Sequence, residues 1–183
     1  MINKTEKDFW VEISIREIWT QTHFAEISYS NIDPKAISGN DAVFSSIHSF
    51  LSHCAMISKM LAADDNGNPP KSIGSILGIT NNSIIHQRRF RNHLEHFDER
   101  MQRWIGKFAT GANIGMYNIG PKSAIQIPNM IFVSHYDPNN YTFTFIDEDF
   151  DLSALHEEVQ KIKSIADNWV QKMEREVIKS PFI

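Results

Sequence analysis

A single cysteine, Cys54, stands in 183 residues, so no internal disulfide can form and one chain cannot build a thiolate zinc cluster. Cys54 falls in an apolar helical stripe, where a buried structural thiol is expected. No run approaches the roughly 20 apolar residues that span a bilayer, so a membrane is not an expected partner. The opening MINKTEKDFW carries acids and lacks the apolar stretch of a secretory signal, which makes the cytoplasm the expected location. Positive charge is not in excess either. The net charge of -4 excludes a surface coated for nonspecific nucleic-acid binding and leaves room for a local basic site. There is no internal repeat, no nucleophile elbow and no glycine loop spaced to cradle phosphate; the glycines from Gly106 to Gly120 lack that spacing.

What is present is ordinary soluble material, 42% hydrophobic and 22% charged, long enough for one domain spanning residues 1–183 with a sizeable core. Residues from about Thr5 to Tyr29 are rich in apolar and aromatic side chains, with Glu6, Asp8, Glu12 and Glu17 suited to early helical turns, although Ile13 and Ile15 also alternate like a strand. Asp33-Pro34 and Ser38-Gly39 mark turns. Asn40 or Asp41 can cap a second helix, in which Val43, Ile47, Phe50, Cys54, Ile57 and Leu61 follow alternating steps of four and three. The run from Asp64 to Pro70 stops it, and Ser72 to Leu77 suits a short helix ending at Gly78. Met130 to Tyr136 and Tyr141 to Ile146 read as strands joined across Asp137-Pro138-Asn139-Asn140. A last helix opens at Asp151 or Ser153 and carries Leu155, Val159, Ile162, Ala166, Trp169, Met173 and Val177 on one face. The expected fold is mainly α: an up-and-down helical bundle with a small antiparallel β-hairpin insert at about 115–147, before the last helix.

Chemistry concentrates between Ser83 and Ala109, read as one long helix capped by Asn81-Asn82-Ser83. At about 100° per residue, Phe90, Leu94, Phe97, Met101, Trp104 and Phe108 form its apolar face, with His86 projecting within that face. Beside it run Arg89, His93, His96 and Arg100, at steps of four, three and four. Two imidazoles and two guanidinium groups on one flank favour an anion such as phosphate, because histidine exchanges protons near neutral pH and arginine binds phosphate bidentately. A solvated face compensated by Glu95 and Glu99 is the plain structural alternative. A metal site on His86, His93 and His96 with Asp98 or Glu99 is disfavoured by the flanking arginines and by the lack of a His-Glu-x-x-His pattern.

Arg91-Asn92-His93-Leu94-Glu95-His96 resembles the motif of the HEPN ribonucleases: an arginine, a polar residue after it, and a histidine beyond four intervening positions. Arg88 and His93 meet the same spacing, but Arg89 follows Arg88, so Arg91 is the better match. The resemblance implies metal-independent RNA cleavage with no cofactor, in a homodimer whose protomers bring their motifs together. It also implies a prokaryotic toxin or antiphage setting, with a cognate antitoxin as a partner. His96 would act as general acid and base on the 2′-hydroxyl or the leaving oxygen, and Arg91 would stabilise the phosphorane. Asn92 would orient the site, and Arg88, Arg89, His93 and Arg100 would contact substrate phosphates. In a regular helix Arg91 and His96 project about 140° apart, so a twofold partner, a helix distortion or the reach of the arginine side chain has to join them. The alternative from another class is a noncatalytic bundle that binds RNA, a nucleotide or a protein through the same flank.

Overall fold

The computed structural model describes residues 5–33, 39–63, 71–87, 97–107, 111–146 and 148–179. Helix α1, Glu6–Ser30, starts at a capping box: the Thr5 hydroxyl accepts from the Asp8 amide at 3.2 Å, and the Asp8 carboxylate accepts from the Thr5 amide at 3.0 Å. Its inner face mixes Ile15, Ile18 and Ala25 with Ser14, Thr22 and Ser28. The small residues let neighbouring helices approach closely, and the Thr22 and Ser28 hydroxyls donate back to carbonyls within the helix.

Helix α2, Asn40–Ala62, is capped by Gly39 at φ 110°, not by a side chain of Asn40 or Asp41. Its expected stripe from Val43 to Leu61 is buried throughout, Cys54 included. The short α3, Ile73–Leu77, is capped by Ser72 and closes at left-handed Gly78, where the sequence predicts its end. Helix α4, Phe97–Ile105, follows after residues outside the description. Helix α5, Leu152–Lys179, begins where the Asp151 carboxylate accepts from the Ala154 amide at 2.9 Å. Leu155, Val159, Ile162 and Ala166 are buried, and Trp169 and Met173 pack half-buried beside them; the Val177 side chain lies outside the described residues.

Helix α1 packs on both α2 and α5, but the rest corrects the expected bundle. Six strands occupy the described part of residues 113–151: β1 Asn113–Gly115, β2 Asn118–Ile119, β3 Met130–Phe132, β4 Ser134–Asp137, β5 Thr142–Phe145 and β6 Glu148–Asp151. They form a two-stranded parallel pair, β1-β3, and a four-stranded sheet ordered β2-β4-β5-β6. The chain is therefore helix-rich but mixed α/β, with two sheets where a single hairpin was expected. The expected hairpin is present as β4-β5, with Ser134 opposite Phe145 and Asp137 opposite Thr142. Its turn is held by Asp137 accepting from the Asn139 amide at 3.0 Å and Asn140 accepting from that of Thr142 at 3.1 Å. The run Met130–Tyr136 is not one strand. It changes sheets at Val133, whose amide bonds the Gly115 carbonyl and whose carbonyl takes the Ile146 amide.

The proposed long helix from Ser83 is also corrected. Ile84–His86 is a 3₁₀ turn, and Gln87 leaves it extended at ψ 105°. Ile85 fills the core between α2 and α5, while Ser83 donates to Glu158 of α5. This anchoring fixes the chain before the arginine-rich run and separates His86 from any helix that continues to Ile105.

Candidate functional site

Arg88, Arg89, Arg91, Asn92, His93 and His96 lie outside the described residues, as do Phe90, Leu94 and Phe108 of the expected apolar face and the side chain of Phe97. Arg100 is the one expected site residue whose surroundings are described. It sits on α4, whose described residues are polar except for Phe97, Met101, Trp104 and Ile105. Trp104 is 3% exposed and Met101 packs against the core. Burying that one edge turns Arg100 and Arg103 toward the β5–β6 connection.

There the structure forms a cavity of about 420 Å³ lined by Arg100, Arg103, Trp104, Lys107, Ile146 and Glu148. Arg100 is ion-paired to Glu148 across it, both groups being about three-quarters shielded. Arg103 reaches back only loosely to Glu99, at 3.9 Å, and is largely exposed. Lys107 has no carboxylate partner among the described residues. Among the described lining residues, three cations thus face one carboxylate over an indole floor. Such an arrangement attracts an anion, and guanidinium groups match the geometry of phosphate oxygens. Ile146, in the same wall, has φ 47°, a conformation that β-branched residues avoid.

A second cavity, of about 650 Å³, lies along α2 and is lined by Asp41, Phe44, Ser45, His48, Ser49, Ser52, His53 and Tyr117. His48 is held below the usual histidine pKa by burial, against the edges of Phe143 and Phe145. His53 is lowered for the same reason and contacts Gln21 through Nδ1 at 2.7 Å. The sequence does not reveal this cavity, because its polar residues lie on the reverse of the α2 core stripe and its far wall depends on Tyr117. Arg103 and Lys107 were equally legible: with Arg100 they follow steps of three and four. Tyr117 carried no such signal, since its placement depends on strand pairing.

His86, expected in the core-facing stripe, is partly buried on the 3₁₀ turn, with its pKa lowered by burial and partly restored by Glu158. Among the described residues no three of His, Cys, Asp and Glu come together as a metal site would require. Nor is any described helix long and apolar enough to cross a membrane. Comparison with protein-family models, with curated proteins and with solved structures found no match.

Proposed function

We propose that this chain binds RNA through the basic flank of α4 and cleaves it as a HEPN-like, metal-independent endoribonuclease. The observation that carries the binding is the cavity in which Arg100, Arg103 and Lys107 converge, immediately beyond the segment that holds the motif. Cleavage rests on Arg91, Asn92 and His96. In this reading His96 moves the proton of the 2′-hydroxyl or of the leaving 5′-oxygen, and Arg91 meets the charge that builds on the phosphorane. The 2′-oxygen attacks the adjacent phosphorus, the bond to the 5′-oxygen breaks, and a cyclic phosphate end results. A homodimer would bring an arginine and a histidine together, and a prokaryotic toxin or antiphage protein in the cytoplasm, held by a cognate antitoxin, is the setting the motif suggests.

The test is incubation of the purified protein with total RNA, with and without EDTA, followed by analysis of the product ends. Wild type should give cyclic phosphate ends in either condition. His96→Ala and Arg91→Ala should each lower the rate by about 10² to 10⁴ while the protein stays folded. Loss of cleavage on chelation would refute metal independence. A second reading, RNA binding without cleavage, is favoured by the cationic cavity taken alone, which asks only for an anion. In that case Arg103→Ala weakens RNA retention, His96→Ala leaves it unchanged, and no products form.

A further inference from the structure

The start of the four-stranded sheet brings the two cavities onto one line. Asn118 of β2 pairs in parallel with His135 of β4, so Tyr117 lies level with Ser134, whose hydroxyl accepts its amide at 2.8 Å. Ser134 pairs with Phe145 of β5, and Phe145 with Glu148 of β6. Tyr117, Ser134, Phe145 and Glu148 therefore form one row across the sheet. Tyr117 borders the α2 cavity at one end, and Glu148 borders the cationic cavity at the other. Three strand spacings of about 4.8 Å separate them, roughly 14 Å.

The chemistry of the two ends differs. Among the described residues lining the α2 cavity there is no lysine or arginine, and Asp41 is a carboxylate, so those residues do not favour a phosphate. It offers instead the aromatic surface of Tyr117, the imidazoles of His48 and His53, and the hydroxyls of Ser45 and Ser49, groups that donate and accept at fixed positions. Tyr117 is held at φ 55°, in the left-handed region. Its amide is tied to Ser134, and its carbonyl takes the Asn40 side-chain amide at 3.0 Å. Its ring meets Phe44 edge to face at 5.1 Å yet stays 44% exposed. Backbone strain of this kind clusters at ligand sites, and here it presents a braced, half-exposed aromatic ring to a cavity.

We infer that the α2 cavity is a subsite for an unpaired nucleobase, stacked on Tyr117 and hydrogen-bonded by the α2 side chains, while the same strand's phosphates lie in the Arg100–Arg103–Lys107 cavity. This rests on the RNA reading above and adds to it which part of the strand each cavity takes. Unstacked bases are recognised in single-stranded RNA by such aromatic and hydrogen-bonding surfaces. The volume exceeds what one base needs, so the ribose enters with it.

The experiment measures fluorescence anisotropy with labelled 2′-O-methyl oligonucleotides of roughly eight residues, which cannot react through the 2′-position, and with an abasic strand of equal length. Tyr117→Asn removes the ring with a residue that tolerates positive φ; Tyr117→Phe keeps the ring. Wild type should prefer the base-bearing strand. Tyr117→Asn should lose about 5- to 100-fold in affinity for it and none for the abasic strand, and Tyr117→Phe should match wild type. Arg103→Ala should weaken both strands alike. Binding of the base-bearing strand that Tyr117→Asn leaves intact, or wild-type binding that does not distinguish the strands, overturns the subsite alone. Failure of wild type to bind either strand overturns the RNA reading and the subsite together.

Discussion

Arg100 and Glu148 show how one residue pair can set the strength of a site. Both are largely shielded and meet in the cavity wall, where Glu148 neutralises part of the field that Arg100, Arg103 and Lys107 create. Replacing Glu148 by Gln keeps the shape, removes one negative charge and frees a guanidinium for an incoming anion. RNA affinity at low salt should then rise several-fold, and the dependence of log Kd on log salt should steepen by about one. Lys107→Ala should do the reverse, flattening that slope by about one. A salt titration of the three proteins checks both; equal slopes would mean the cavity does not touch phosphate. The neighbouring Ile146 could not have been foreseen. Its positive φ follows from its amide bonding to Val133 while β5 turns into β6, and no residue preference signals that.

At the scale of the element, α4 depends on its surroundings. Its described residues offer one narrow apolar edge, so packing at Met101 and Trp104 holds them to the core. Trp104 is the deepest described contact. Trp104→Ala should cost about 3–5 kcal/mol, and hydrogen exchange across Phe97–Ile105 should quicken more than in α1 or α2. Uniform acceleration would instead make α4 part of one cooperative unit. The elements that were legible in the sequence share a feature: their stripes are long. The four-three spacing in α2 and α5 has enough repeats to exclude a strand. In α1 the acids of the early turns, Glu6, Asp8 and Glu12, carried the prediction even though apolar residues circle the helix, leaving Phe9, Ile13, Phe24 and Ile27 exposed. The 3₁₀ turn at Ile84–His86 looked like the first turn of a helix because Ser83 is a sound cap; what ends it is the burial of Ile85, a tertiary event. β6 escaped because Glu148-Asp149-Phe150-Asp151 is acidic and strand-poor. It pairs because Phe150 enters the core beside Phe143, and Asp149 accepts from Thr144 and Lys122. β1 and β2 are too short to carry any alternation at all.

At the scale of the whole molecule, burial sets a common direction for the titration of four histidines. His48, His53, His86 and His135 are all held below the ordinary value, desolvation being the first cause in each. His135 is the one of the four that is fully buried. It lies against Phe132, neither ring nitrogen has a well-formed hydrogen bond, and Lys122 adds repulsion that Gly120, Asp137 and Asp149 only partly offset. The unfolded chain binds protons at these histidines near pH 6.5, whereas the folded chain does so only at lower pH. Stability from keeping them neutral is therefore complete above about pH 6.5 and is lost as pH falls through the depressed folded values. Asp149 acts in a separate window. Burial opposes its ionisation, but hydrogen bonds from Thr144 and Lys122 and the Lys122 charge bring it below the ordinary carboxylate value, so its contribution is lost only in stronger acid, below about pH 4. Urea midpoints should accordingly fall between pH 7.5 and pH 5.5, before the carboxylates protonate. His135→Leu, which replaces an unsatisfied buried imidazole with an apolar side chain, should keep or raise the midpoint at pH 7.5 and reduce the drop at pH 5.5. An unchanged drop in His135→Leu would place the acid sensitivity on α2 and the 3₁₀ turn instead. The loss would then begin at His48, His53 and His86, and the α2 cavity would open before the sheet.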